Sequence, residues 1–253
     1  MTQQSSRSTP PWLLPIVVGA LALVVIALAY FMFAGSDDAE QSGATDTTEA
    51  TGDSGGVVDV APQSEGDQVD LSHVEQRDTE DPLSIGSVDA PVAMVVFSDY
   101  QCPFCATWSH ETLPVMMDYV EDDELRIEWR DLNVYGTDSE RASKAAYAAA
   151  LQDTFWEYHD ALYPDGEIRD AADLSDDALV ELAADLGLDT EQFTQDMQSE
   201  QVQEQITANE SLGTELGAYS TPSFIVDGEP MVGAQPTDVF VDAVDEAVAQ
   251  ASG

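Results

Sequence analysis

Basic residues are scarce in this chain: 7 Lys and Arg stand against 50 Asp and Glu in 253 residues, for a formal net charge of -43. Affinity for phosphate backbones comes largely from Lys and Arg displacing counterions, so a chain this acidic excludes nucleic acid as a partner. Cysteine is scarce as well. Two cysteines exclude a disulfide-dense miniature domain, and they exclude a zinc site built from four cysteines of one chain. Acids are missing altogether before Asp37, and Arg7 is the only charged side chain of the first 36 residues. The chain is therefore made of at least two materials, and its 43% of hydrophobic residues is enough for a buried core.

The first material is a run from Trp12 to Ala34 of apolar and small residues, interrupted by Pro15. As a helix rising 1.5 Å per residue it spans roughly 35 Å, against a hydrocarbon core of about 30 Å. Met32-Phe33-Ala34 is a poor small-x-small cleavage site, which favours a retained anchor over a cleaved signal peptide. Arg7 and the α-amine precede the run, and the next basic residue is Arg77. The positive-inside rule then leaves residues 1–11 in the cytoplasm, makes 12–34 the transmembrane anchor, and puts the body outside the cell membrane. Residues 35–81, rich in Gly, Ser, Thr and acids, cannot bury enough apolar surface to order themselves and predict a disordered acidic tether.

The folded body is expected over 82–253. Ala90 to Phe97 is a short apolar run of the kind that forms a strand buried on both faces. A polar turn, Ser98 to Gln101, leads into Cys102-Pro103-Phe104-Cys105 and then a helical spacing through Val120. Leu125 to Arg130 alternates apolar and charged residues, as a strand with one buried face does. Helices are predicted over 139–162, 176–186 with Ser175 as cap, 191–216 and 236–251, and a strand pair over 223–226 and 231–233. The first two strands, joined by a helical crossover, run parallel, and the late hairpin adds an antiparallel pair. The fold class is α/β, a mixed sheet with helices on both faces and a helical insertion at about 139–216.

The chemistry lies in Cys102 and Cys105. Two residues between cysteines at a helix start let the sulfurs close a small ring, with the first sulfur at free backbone N–H groups and the positive end of the helix dipole. Pro103 suits the first turn because its missing N–H had no intrahelical acceptor. Three roles remain open on residues alone: redox exchange, a metal site completed by His110, His159 or a second molecule, and a structural disulfide. The last explains little, since a four-residue loop stabilises a fold less than a long one.

The block Phe97-Ser98-Asp99-Tyr100-Gln101-Cys102-Pro103-Phe104-Cys105, the helical insertion, and Tyr219-Ser220-Thr221-Pro222-Ser223-Phe224-Ile225-Val226-Asp227-Gly228 resemble the DsbA-like branch of the thioredoxin superfamily. Gly233 follows in the expected order, and the resemblance covers nearly all of 82–250. It implies a thioredoxin-like sheet, Cys102 as an exposed nucleophile, Cys105 as its buried resolving partner, and Thr221-Pro222 as a cis-proline loop offering backbone groups to an extended client. Pro103, Phe104 and Asp99 would support the site. The resemblance departs at two positions. Val96 stands where many relatives have a buried acid, and Phe104 where the strongly oxidising ones often have His. Asp99 is open to two readings, a turn-former or an acid acting through water.

These readings converge on a membrane-anchored thiol:disulfide oxidoreductase that forms disulfides in reduced exported proteins and is reoxidised by an unidentified redox partner. The same site run in reverse is a reductase or isomerase, and a tethered peptide-binding chaperone is the reading from another class. No metal or organic cofactor is required, and no dimerisation module is evident, so a monomer is expected. The dense acidic surface opposes the helix in setting the Cys102 thiolate, and salt screens exposed charges beyond about 8–10 Å. The Cys102 pKa is expected to rise as salt is lowered; a thiol titration indifferent to salt would contradict this.

Overall fold

Before Ser98, strand β2, Val92–Ser98, carries no polar side chain, and all seven of its residues are buried. A computed structural model describes residues 71–253 and places β2 at the centre of a five-stranded sheet of order β1-β3-β2-β4-β5. The expected anchor over 12–34, the cytoplasmic segment 1–11 and the tether up to residue 70 lie outside the described residues. Among the described residues no helix is long and apolar enough to cross a membrane. The flanking strands are β1, Ser84–Ile85, and β3, Leu125–Asp131, on one side, with β4, Ser223–Val226, and β5, Glu229–Val232, on the other. β2 and β3 are parallel, with Val92 opposite Leu125 and Ser98 opposite Asp131, whereas β2–β4, β4–β5 and β1–β3 are antiparallel.

Period-two alternation divides the strands between two cores. Val92, Met94 and Val96, with Ile127, Trp129 and Phe224, pack against most of the helices. Val95, Phe97 and Ile225 pack on the other face with Leu132, Val74, Leu212 and Leu216. The helices are α1, Pro103–Glu111, α2, Leu113–Glu121, α3, Thr137–Ala150, α4, Phe155–Leu162, α5, Asp176–Asp185, α6, Thr190–Met197, α7, Glu200–Glu215, and α8, Thr237–Ala251. The mixed sheet with flanking helices thus stands as read from the pattern, as does the thioredoxin-like sheet that the resemblance implied, and α3 to α7 occupy the inserted stretch.

Several boundaries differ, each for a local reason. The helix expected over 139–162 is broken after Ala150, where Asp153 takes a left-handed conformation with φ 56°. The one expected over 191–216 divides at Ser199, whose hydroxyl accepts the Val202 N–H at 3.1 Å and so starts a new helix. Ser175 does cap α5, accepting from Ala178 N. At the hairpin, Asp227 and Gly228 both have positive φ, 48° and 80°, so the turn is shorter than expected and β5 begins at Glu229. Pro230 is tolerated because β5 is an outer strand whose free edge needs no donor.

The larger correction concerns β3 and the tether. Arg126, Glu128 and Arg130 do not face water: all seven residues of β3 are buried, because residues 71–81 fold across the charged face. Glu128 receives the Arg126 Nε at 3.1 Å, the Arg130 Nη2 at 3.0 Å and the backbone N–H groups of Gln76 and Arg77 at 3.1 and 2.7 Å. Arg130 also pairs with Asp81 at 2.8 Å, and Arg126 reaches the Asp78 carbonyl at 2.6 Å. Hence the tether's last eleven positions, expected to be disordered, belong to the folded body, whose described part begins at Leu71 rather than at 82. Removing one partner of such a buried cluster leaves the others uncompensated, so Glu128→Ala in the full chain is expected to cost about 3–5 kcal/mol in urea unfolding. Lys144→Ala, which breaks the half-exposed Lys144–Glu140 pair, is expected to cost under about 1 kcal/mol.

Candidate active site

Both cysteines lie where β2 hands over to α1, as the motif's position implies. Cys102 is the N-cap of α1 with extended backbone, φ -91° and ψ 115°, and Pro103 occupies the first helical position. The N–H groups of Cys105 and Ala106 close the first turn on the Cys102 carbonyl at 3.0 and 3.1 Å. Ahead of it, Cys102 N donates to the Asp99 carbonyl at 3.0 Å, and the Asp99 carboxylate accepts Gln101 N at 2.7 Å and Tyr135 N at 3.0 Å. Asp99 is fully buried and burial raises its pKa. The geometry therefore gives Asp99 the turn-forming role, with the added task of holding the loop that carries Tyr135.

The loop before β4 closes the site from the other side. Thr221-Pro222 is a cis peptide, and the Thr221 carbonyl lies 3.2 Å from Cys102 Sγ. Gly233, at φ 83°, donates its N–H to the Pro222 carbonyl at 2.9 Å and so ties the end of β5 to that loop. The structure thus brings Cys102, Cys105, Thr221 and Pro222 together, with Pro103 and Phe104 on the exposed first turn. It does not leave Cys102 exposed, as the resemblance implied: the residue has 0% accessible surface, with the Thr221 carbonyl of the cis-proline loop against its sulfur.

Both cysteines are free thiols here, and their fates differ. The Cys102 pKa is lowered to about 6, first by the hydrogen bond from the Cys105 thiol, against the opposing effect of burial, then by the Thr221 hydroxyl and the Cys105 and Phe104 N–H groups. The Cys105 pKa is pushed far up, first by burial and then by holding the proton it shares with Cys102. Thr221 Oγ1 is buried and has no partner while Cys102 is a thiol donating to the Thr221 carbonyl, so it is free to donate once the thiolate forms. The helix N-terminus contributes, but the neighbouring thiol contributes more. The pair amounts to one thiolate and one retained proton near neutral pH, which suits exchange with an external disulfide or thiol.

Two further residues were not evident from sequence. Asp131 continues the Ile127-Trp129 face of β3, is fully buried, and accepts the Trp129 Nε1–H at 3.1 Å. Its pKa is raised to about 7, chiefly by burial and also by the Asp99 charge. Its strand partner is Ser98, at the end of β2 where the chain turns towards the cysteines. The signal was available, an acid on the apolar phase of a strand, whereas nothing in the loop sequence marked Tyr135. His159, considered above as a metal ligand, has both ring nitrogens engaged, by Tyr100 and Ser109 at 3.2 Å each, and burial lowers its pKa to about 3. Among the described residues no three metal-ligating side chains converge.

Residues 78–246 match the family described as thioredoxin. The chain belongs to the thioredoxin family. A thioredoxin-like oxidoreductase from Silicibacter pomeroyi is 30% identical, with a TM-score of 0.57 over 67% of this chain and 98% of that one. The Bacillus cereus protein named "Probable disulfide bond formation protein D" is 28% identical over 150 residues, 57% of this chain and 69% of that protein. Wolbachia pipientis alpha-DsbA1 shares the fold at 18% identity, with a TM-score of 0.63 over 72% of this chain and 97% of that one. This thioredoxin-family member is a thiol:disulfide oxidoreductase. Replacing Thr221 by Val keeps the shape and removes the hydroxyl, so the Cys102 pKa is expected to climb from about 6 towards the free-thiol value, read from the pH dependence of alkylation.

Proposed function

We propose that the chain donates disulfides to reduced exported proteins through Cys102 and Cys105. The observation that carries this direction is the Cys102 thiolate, stabilised by the Cys105 thiol and Thr221. A stabilised thiolate stabilises the reduced pair, so the oxidised pair is the stronger acceptor of electrons. A client thiolate attacks Cys102 Sγ of the Cys102–Cys105 disulfide; the client–Cys102 bond forms, the intramolecular bond breaks, and Cys105 leaves as a thiolate and takes up a proton. A second client thiolate attacks the client sulfur of the mixed disulfide and expels Cys102 as the thiolate. The client loses two electrons and the protein gains them, and an external oxidant, the unidentified redox partner, removes them again. Thr221, adjoining Pro222, offers the backbone carbonyl nearest Cys102 to an extended client.

The run at 12–34 supports a single-pass anchor in the cell membrane, with the catalytic body on the extracytoplasmic side where disulfides persist. The acidic composition supports a protein that works apart from nucleic acid, and the lack of an evident dimerisation module supports a monomer. Equilibration of the full chain with glutathione is expected to give a potential of about -120 to -180 mV, whereas about -270 mV would mean a reductase. Cys102→Ser is expected to abolish disulfide formation in a reduced client. Retained activity in that variant would overturn the assignment, and a variant that still suppresses client aggregation while the wild type forms no disulfide would support the chaperone reading instead.

A further inference from the structure

The turn that carries Cys102 is held, residue by residue, by one stretch of the helical insertion. The Tyr163 hydroxyl, just past the end of α4, donates to the Asp99 carbonyl at 2.9 Å, and that carbonyl also accepts Cys102 N at 3.0 Å. His159, one turn earlier on α4, has Nδ1 at 3.2 Å from the Tyr100 hydroxyl. The Gln101 side chain donates from Nε2 to the Arg169 carbonyl at 3.0 Å, and the Arg169 guanidinium folds back on the Ala161 carbonyl at 2.7 and 3.0 Å. Asp99, Tyr100 and Gln101 are thus each bonded to the stretch 159–169, at separations of 59 to 68 positions. His159 reaches the far side of the motif as well, with Nε2 at 3.2 Å from the hydroxyl of Ser109 on α1. His159, Tyr100 and Tyr163 are buried, and their three rings pack on one another.

We infer that Tyr163 and His159 are positioning residues of the reaction, which fix the turn so that Cys102 stays at the N-terminus of α1, where its thiolate is stabilised. The inference rests on the reading of Cys102 as the reacting sulfur. Groups set in place before a charge appears stabilise it without having to reorganise, so the placing of the turn bears directly on how well Cys102 ionises. Within the turn, Cys102 N and Gln101 N bond back to Asp99, which shapes the turn without anchoring it to α4. The bonds from Tyr163 and His159 supply that anchor, and His159 ties the same point to α1. Both residues suit the task chemically. Burial holds the Tyr163 phenol well above its ordinary pKa, so it stays a donor whichever state the cysteines take. Burial also lowers the His159 pKa and keeps the ring neutral; a neutral imidazole donates from one nitrogen and accepts at the other, which two hydroxyls satisfy in either tautomer.

Three variants of the full chain separate positioning from packing. Tyr163→Phe keeps the ring and drops the hydroxyl. His159→Asn keeps a polar atom near the Nδ1 position, facing Tyr100, and His159→Gln keeps one near the Nε2 position, facing Ser109. Each leaves a buried polar group short of a partner, so each is expected to unfold at lower urea than the wild type. In Tyr163→Phe and His159→Gln the glutathione equilibrium at pH 7 is expected to move roughly fivefold towards the disulfide, the equivalent of one hydrogen bond lost from the reduced site, whereas His159→Asn stays within about twofold of the wild type. Lower stability in all three with no change in that equilibrium overturns the inference and leaves the network a packing device. A shift in Tyr163→Phe alone, or an equal shift in the two His159 variants, overturns the part given to His159. If iodoacetamide labels Cys105 before Cys102 in the reduced wild type, the reading of Cys102 as the reacting sulfur fails, and that result is distinct from any outcome in the variants.

Discussion

Because β2 offers water no face, both its sides must be covered, and most of the described architecture answers that requirement. One side takes the helices that contain Trp108, Phe155 and Phe240. The other side takes the end of α7 and the segment beginning at Leu71. The strand stops being apolar only at Ser98, and there the chain turns, with Asp99, Tyr100 and Cys102 still buried, and caps α1 with Cys102 at the sheet's end. A buried central strand thus decides where the chemistry sits: polar groups are gathered at its C-terminal end because they are costly anywhere else along it.

The site itself turns on one proton shared by two sulfurs. Cys105 is buried behind Cys102, cannot ionise cheaply, and so keeps its hydrogen and points it at its neighbour. That hydrogen bond, with Thr221 and the first N–H groups of α1, makes Cys102 acidic even though Phe104 brings no positive charge. Val96 is a fully buried member of the same apolar core as the two cysteines. The acids near it enter from other directions, Asp99 through the turn and Asp131 from the end of β3 beside Ser98.

The same economy of charge is visible in the fold. With 7 basic residues in the chain, it is notable that Arg126 and Arg130 are buried and that the half-buried Arg77 is anchored to the Val88 and Ala90 carbonyls. Around Glu128 the signs balance, Arg126 and Arg130 against Glu128 and Asp81, and the backbone of Gln76 and Arg77 completes the carboxylate. Arg77, Arg126 and Arg130 thus pin the entering segment over the sheet.

Periodicity and local chemistry carried a good part of this in the sequence. The apolar run of β2, the hairpin around Asp227-Gly228, the cap at Ser175, the Cys102-to-Cys105 spacing and the Thr221-Pro222 pair each express a local preference, and local preferences are legible without a partner. The charged alternation of β3 misled because burial of charge depends on what folds over it, and the segment that does so precedes it by some fifty positions. For the same reason the tether's end looked disordered: its order comes from Glu128 and not from its own composition. Asp131 owes its place at this end of the sheet to strand register and Tyr135 to a single carboxylate, and the Thr221 carbonyl reaches Cys102 from a loop more than a hundred positions away. By itself, then, the sequence determined the strand, the helix start and the reactive pair, because these follow from backbone periodicity and adjacent residues. Only the tertiary structure decided which acids and hydroxyls surround that pair and whether its sulfur meets water, because those depend on contacts between residues far apart along the chain.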